Sequence, residues 1–509
     1  MALTFGPSDR LGSSPNYKWW AYVAVGLGIF LTVMDQSGVN IALPRVAEHF
    51  SATIPTIQWV SLGYVLSTSA MLLPMGRLAD ITTRKRVYVG GFVIFALAAA
   101  LAGSAPVFPV LIAAKILQGI GAAGIHANGM AMILEAFPER ERGKAVGMYT
   151  AIIGTGSITG PMIGGVLVSG LGWRSVFFAS IPLAVVATVL VLTVVKRAAP
   201  GRGTDGRGRR FDWPGASLSS AALITFLLGI TNAYRYGWSS PIIVVALGLA
   251  VLLLVSFIWW EQRTGDPMLD MGLFRNKVFS MGISARSVSF LGASAVFFLM
   301  PFYLMQALDY QASQAALMLV PGSIGMAVMG PISGPLSDRV GTRWPSAVGM
   351  ASSAAGMFLF SRMGVDTHPA HVVIGMALTG IGMGLFSAAT TSAVMGSMGR
   401  SRYGIATAVL NLARTSSNVT GVAMATTIVT LTMGSLGYEP SLAAVTEDGG
   451  EGVKSAFVSG MSRAFMVAGA LMVLSIALSV LRGEAQPDET PEERPVAEPR
   501  TRAEKVASS

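Results

Sequence analysis

The feature that most constrains this chain is a succession of long apolar stretches. A helix needs about twenty largely apolar residues to cross the hydrocarbon core of a bilayer. Such stretches recur near 19–43, 56–77, 87–105, 108–135, 144–170, 174–195, 214–234, 240–260, 279–307, 314–336, 345–363, 370–397, 403–433 and 457–481, fourteen in all. Backbone groups in lipid find no water, so each stretch must satisfy them internally, as a helix. The expected fold is therefore all-α and integral to a membrane. Composition agrees: 12% of the 509 residues are charged, about half the share usual in soluble domains.

The connections test the count. One alternate set carries Arg77, Arg84, Lys85 and Arg86; Arg140, Arg142 and Lys144; Lys196, Arg197, Arg202, Arg207, Arg209 and Arg210; Arg263, Arg275 and Lys277; Arg339 and Arg343; and Arg400 and Arg402. The other set carries Arg45, Arg174, Arg235, Arg362 and Lys454. Twenty basic residues against five is a strong positive-inside bias, and it places both termini in the cytoplasm. A helix missed or invented would scramble the alternation. The formal charge of +10 thus belongs to membrane topology, and no nucleic-acid partner is expected. The run from Lys196 to Arg210 is expected to be a solvated loop within reach of anionic headgroups. Residues 1–18 are polar and the segment after them is long enough to stay in the membrane, so no cleavable leader is expected. With no cysteine and four scattered histidines, neither a thiolate site nor a metal site is expected.

The chain repeats itself. GRLADITTRKR from Gly76 is echoed by GPLSDRVGTR from Gly334, 258 residues later. QGIGAA from Gln118 is echoed by TGIGMG from Thr379, and GKAVGMYTAIIGTGSITG from Gly143 by GIATAVLNLARTSSNVTG from Gly404, each 261 residues later. A nearly constant offset implies two six-helix halves, with the segments near 214–260 inserted between them. The expected organisation is a cytoplasmic start over 1–18, a first bundle over 19–195, a basic loop with the inserted pair and an interfacial connection over 196–277, a second bundle over 278–482, and a disordered cytoplasmic tail over 483–509. Parallel six-helix repeats facing one cavity suit alternating access.

Charges inside the apolar stretches mark candidate functional positions, because each is costly there. Asp35 lies within LTVMDQSGVNIALP, and at 100° per residue Thr32, Asp35, Gln36 and Asn40 share an arc of about 140°. On the fourth stretch Lys115, Gln118, Ala122 and His126 form one stripe. Asp35 and Lys115 lie at matched depth, as a carboxylate and a base able to couple to protons. In the second half Asn411, Arg414 and Asn418 share a face. Arg414 is assigned to the cavity, while Arg286 and Arg463 are read equally as cavity residues or as side chains that snorkel to the interface. No deep carboxylate occurs in the second half, since Asp309 and Glu439 fall at helix ends or loops. That suits neutral, anionic or monovalent amphiphiles better than divalent cations, although Trp59, Tyr64, Phe298 and Tyr303 offer aromatic faces to a cation.

Two further motifs are packing devices on physical grounds. Gly76, Asp80, Arg84 and Lys85, with their echo in Gly334, Asp338, Arg339, Gly341 and Arg343, form short charged turns that bring helix ends together. Gly156, Gly160, Pro161, Gly164 and Gly165 open a flat groove for another helix. FDWPG from Phe211 reads as a helix start with Pro214 in its first turn, and PMLDMGLFRN from Pro267 as an amphipathic surface run.

On these residues the chain resembles the fourteen-helix drug/proton antiporters of the major facilitator superfamily, over nearly its whole length. Asp35, Asn40, Ala42, Leu43 and Pro44 match that family's first-helix pattern. The charged turns resemble its cytoplasmic gate signature, with Ile81 and Thr83 departing in the first copy. Gly156 to Gly165 resembles the motif that marks its proton antiporters. Lys115 stands where arginine is usual, and Ser180 where asparagine is usual; Asn411 and Arg414 match its asparagine–x–x–arginine. The resemblance implies a proton-coupled exporter of amphiphiles in the cytoplasmic membrane, with Asp35 and Lys115 coupling protons. Gln36, Asn40, Gln118, His126, Asn411 and Arg414 would line the substrate cavity. It implies no catalytic residue, no cofactor beyond the proton gradient, and a monomer whose partners are the bilayer, protons and a small amphiphile. The alternatives are a dedicated exporter of a lipid or secondary metabolite, and a membrane sensor that transports nothing.

Overall fold

The computed structural model describes residues 16–51, 54–196, 211–310, 312–399, 402–438 and 450–483. The first fifteen residues, the basic run 197–210, Arg400, Glu439 and the tail beyond 483 lie outside the described residues.

Among the described residues there are fourteen long helices and no strand. In chain order they are α1 (Tyr17–Phe50), α2 (Ile54–Ile81), α3 (Arg84–Gly103), α4 (Phe108–Ala136), α5 (Arg142–Leu171), α6 (Arg174–Val194), α7 (Trp213–Tyr236), α8 (Pro241–Glu261), α9 (Lys277–Phe302), α10 (Ala312–Val340), α11 (Arg343–Phe360), α12 (Pro369–Gly396), α13 (Tyr403–Ser435) and α14 (Glu451–Leu481). Eleven of them are long and apolar enough to cross a membrane by length and composition alone. The other three, α2, α11 and α13, pack within the same bundle.

The helix pairs that pack together repeat across the chain. In the first half α1 packs on α4, α5 and α6, α2 on α4, and α3 on α4 and α6. In the second half α9 packs on α12, α13 and α14, α10 on α12, and α11 on α12 and α14. Every pair has its counterpart eight helices later. The seams between the halves repeat too: α5 meets α10 as α13 meets α2, and α4 touches α13 as α12 touches α5. The repeat seen in sequence is therefore a repeat of packing.

Local chemistry explains the helix starts. Asp212 caps α7, its Oδ1 accepting from Gly215 N at 3.0 Å, with Pro214 in the first turn, where a missing N–H costs nothing. Trp260 Nε1 donates to the same oxygen at 2.9 Å, which ties the end of α8 to the start of α7. The run from Pro267 becomes a short 3₁₀ turn, Met271–Arg275, with Met268, Leu269 and Leu273 buried beneath it. The inserted helix α7 lies over the α2–α13 seam. Ser220 Oγ donates to Ala70 O of α2 at 2.9 Å, and Trp238 Nε1, just past α7, donates to Thr427 Oγ1 of α13 at 3.0 Å.

Candidate functional site

Asp35 is buried in the middle of α1, and so are Lys115 and Gln118 on α4 and Ser180 on α6. Both carboxylate oxygens are engaged. Oδ2 accepts from Lys115 Nζ at 3.3 Å and Gln118 Nε2 at 3.1 Å, and Oδ1 accepts from Ser180 Oγ at 2.6 Å. Lys115 Nζ also donates to Gln118 Oε1 at 2.5 Å and lies 4.7 Å from the centroid of the Tyr64 ring. A buried ion pair is tolerated when its remaining lone pairs and protons are satisfied, and here they are. The arrangement has one chemical consequence: a proton on Asp35 would cancel the charge that holds the Lys115 ammonium.

The glycines of α5 press this helix onto α1 around the carboxylate. A Cβ at Gly160 would strike Ser37 Oγ and come within 2.5 Å of Met34 O, the residues on either side of the Asp35–Gln36 pair. Ser37 Oγ reaches Gly156 O at 3.3 Å, and Gly164 lies against Gly38. Gly165 faces open space and takes no part in this contact.

Two small cavities meet at Asn411. The first is lined by Tyr149, Arg286, Thr391 and Thr407, the second by Gln36, Tyr64, His126 and Arg414. Asn411 Nδ2 donates to His126 O at 2.9 Å, so α13 and α4 join there across the halves. Arg286, whose placement the sequence left open, faces the bundle centre: it is buried, donating from Nε to Leu410 O and from Nη1 to Thr391 Oγ1, each at 3.0 Å. Arg463 takes the other course and is exposed. Two residues expected at the cavity lie elsewhere. Gln118 belongs to the ring of donors around Asp35, because its amide is drawn to the carboxylate. Asn40 is exposed, and its Oδ1 accepts from Ser61 Oγ at 3.0 Å.

The charged turns gather at one end, called here the basic end. Asp338 of α10 accepts from Gly143 N at 3.0 Å and Lys144 N at 3.3 Å, capping α5 across the halves. No side chain of α5's own does so. The echo is positional: α13 also lacks its own cap, and Asp80 Oδ1 lies 2.7 Å from where a Gly404 Cβ would stand. Gly143 and Gly334 are in backbone contact, so neither has room for a side chain, and Gly76 abuts Ala408. Arg84 pairs with Asp80 at 3.6 Å and with Glu135. Gly341 has φ +81 and turns the chain from α10 into α11. Lys85 packs within its own half. It donates to Leu192 O at 2.9 Å and Val195 O at 2.5 Å, closing the end of α6. Arg339 is exposed, and Arg343 stacks near Trp344 at 5.8 Å.

Sequence reasoning missed Ser180 as a donor to Asp35, although its place in the asparagine–x–proline pattern was the available signal. It also missed Arg482, buried just after α14 with Nη2 on Thr342 Oγ1 at 3.1 Å. Nothing local marks that residue.

The model of the Major Facilitator Superfamily matches residues 25–422, and again 283–507. The chain belongs to the major facilitator superfamily. Its relatives within that superfamily include the multidrug resistance protein Stp of Mycobacterium tuberculosis, 31% identical over 79% of this chain and 74% of that protein. The puromycin resistance protein of Streptomyces alboniger is 32% identical over 82% of this chain and 83% of its own. The tetracenomycin C resistance and export protein of Streptomyces glaucescens is 27% identical over 96% of each chain. Among solved structures, a human organic anion transporter superposes with a TM-score of 0.64 at 14% identity, over 92% of this chain and 100% of that one. At that identity the likeness shows the fold alone. This facilitator is thus a membrane-spanning transporter.

Proposed function

We propose that the protein is a proton-driven antiporter exporting hydrophobic or amphiphilic compounds, antibiotics among them, across the cytoplasmic membrane by alternating access. The observation that carries this is the buried Asp35, held by Lys115, Gln118 and Ser180 on the helix that the α5 glycines grip. Relatives named for resistance and export support the cargo class. In this reading the basic end is cytoplasmic, as the positive-inside bias indicates, and both termini lie there. The cross-half cap at Asp338 and the Gly143–Gly334 contact close that end, while Asn40 is exposed and Ser61 half-buried towards the other, so the conformation faces outward. Asp35 takes a proton from outside and loosens its hold on Lys115. The halves rock, the proton leaves to the cytoplasm, and cargo enters. One pH unit supplies about 1.4 kcal/mol per proton, and 100 mV adds about 2.3 kcal/mol per charge moved, each enough to hold a gradient of about tenfold or more. The protein works as a monomer.

The test is dye efflux from proteoliposomes under an imposed pH gradient, wild type beside Asp35→Asn. Gradient-driven efflux is expected in the wild type and lost in the variant; unchanged efflux in the variant would sink the coupling role. The small cavities favour a narrow cargo range, and a panel of dyes and antibiotics moved selectively would favour a dedicated exporter over a multidrug pump.

A further inference from the structure

The charges around the cavities do not balance. Asp35 and Lys115 offset each other. The other buried acids among the described residues are Asp212 and Glu261, and both lie where α7 and α8 meet at the basic end: Asp212 Oδ1 holds Gly215 N and Trp260 Nε1, and Glu261 Oε2 holds Leu269 N. That leaves Arg286 and Arg414, one in each cavity on either side of Asn411, with no acidic partner among the described residues. Arg286 has only neutral acceptors, and the Nε of Arg414 is buried without any.

The surrounding atoms point the same way. Thr407 Oγ1 in the first cavity, and Tyr64 Oη and His126 Nδ1 in the second, are buried and unpartnered. His126 is 6% exposed, so this is not a group turned to bulk water. A guanidinium has donors and no acceptor, and hydroxyls and imidazole can donate as well. A ring of donors around two uncompensated cations is matched by an acceptor-only group of negative charge, and a carboxylate suits a guanidinium in shape as well as sign. A cationic cargo would meet repulsion here, and a neutral one would leave the cations bare.

We propose that the Arg286 and Arg414 guanidiniums, on either side of Asn411, form a node that binds the acid group of the cargo, so that the exported compounds are amphiphilic monoanions bearing a carboxylate or an acidic phenol. This rests on the export reading above. It separates two tasks between the halves: the first carries the proton on Asp35, and the second holds the anion. Export of a monoanion against one entering proton moves two charges per cycle, against one for a neutral cargo. A potential negative on the cargo side therefore drives the anion more steeply.

The experiment uses three fluorescent probes on one aromatic ring: the carboxylate, its methyl ester, and a trimethylammonium analogue. Uptake into proteoliposomes of the full chain under a pH gradient is expected to favour the carboxylate over the cation by about tenfold, with the steeper response to membrane potential. Arg414→Gln should lower the ratio of carboxylate to ester uptake by about tenfold, and Arg414→Lys should restore part of it. Equal loss for all three probes in Arg414→Gln, or preference for the cation in the wild type, overturns the proposal. If no probe is transported, the export reading fails, and equilibrium binding of the carboxylate in detergent still decides the node. Binding by wild type that Arg414→Gln loses keeps it. No binding by wild type, or displacement of the carboxylate by chloride alone, overturns it.

Discussion

At the basic end the two halves set matching residues at matching places. Asp338 of the second half caps α5 of the first, and Asp80 of the first stands against Gly404 at the start of α13. The link between the third and sixth helix of each half is also kept, with its direction reversed. Lys85 at the start of α3 reaches the end of α6, whereas Arg482 at the end of α14 reaches Thr342 at the start of α11. At the centre the halves part company. The first holds a balanced, fully bonded carboxylate and ammonium; the second holds two guanidiniums with no acid. A duplicated scaffold can keep its clamps, which are demanded by geometry, while its centres diverge, because each centre answers to what it binds.

Four experiments would break or sharpen that contrast. The largest effect is expected at the balanced centre. Lys115→Met leaves Asp35 buried with its ammonium removed, which typically costs about 3–5 kcal/mol, and the double variant with Asp35→Asn should recover much of it. Thermal unfolding of the four proteins in a mutant cycle measures this, and additive losses would show that the pair is not coupled. Next comes the clamp. Gly334→Ala puts a methyl group into the Gly143 backbone, an overpacking of about 1–3 kcal/mol against closure alone. The chain has no native cysteine, so labelling of a single cysteine introduced at the basic end should rise in this variant. Unchanged labelling would mean that closure does not depend on the contact.

The caps follow. Asp338→Ala should weaken closure by about 0.5–2 kcal/mol, raising the same labelling less than Gly334→Ala does. If the halves are functionally alike here, Asp80→Ala gives a comparable rise; a much larger one would show that its pairing with Arg84 matters more. The smallest effect concerns pH. Lys18 Nζ lies 2.6 Å from a Glu141 oxygen and holds that carboxyl below its usual range. A depressed folded value means that the contact stabilises above about pH 4.3 and is lost as pH falls through the folded value. Glu141→Gln should therefore show a shallower fall in melting temperature on the acid side than wild type, and an identical fall would remove the contact from consideration.

Much of this was legible in the residues themselves. Fourteen apolar stretches, an alternating basic count and a constant offset near 260 determine a membrane-spanning repeat protein, because bilayer thickness and backbone bonding leave few options. The pairing of Asp35 with Lys115 could be anticipated for the same reason, since a buried charge needs a partner at its own depth. Elsewhere the chain alone was ambiguous. Gln36, His126, Asn411 and Arg414 do share a cavity, yet Gln118 turned to the carboxylate and Asn40 to Ser61. Helical spacing gives the face of a helix but not which neighbour covers it. For that reason only the tertiary structure could place Ser180 on Asp35, send Arg286 inward and Arg463 outward, and bury Arg482. Those outcomes depend on contacts between residues 105 to 145 positions apart, such as the 145 residues from Asp35 to Ser180, where helical spacing does not say which helices meet.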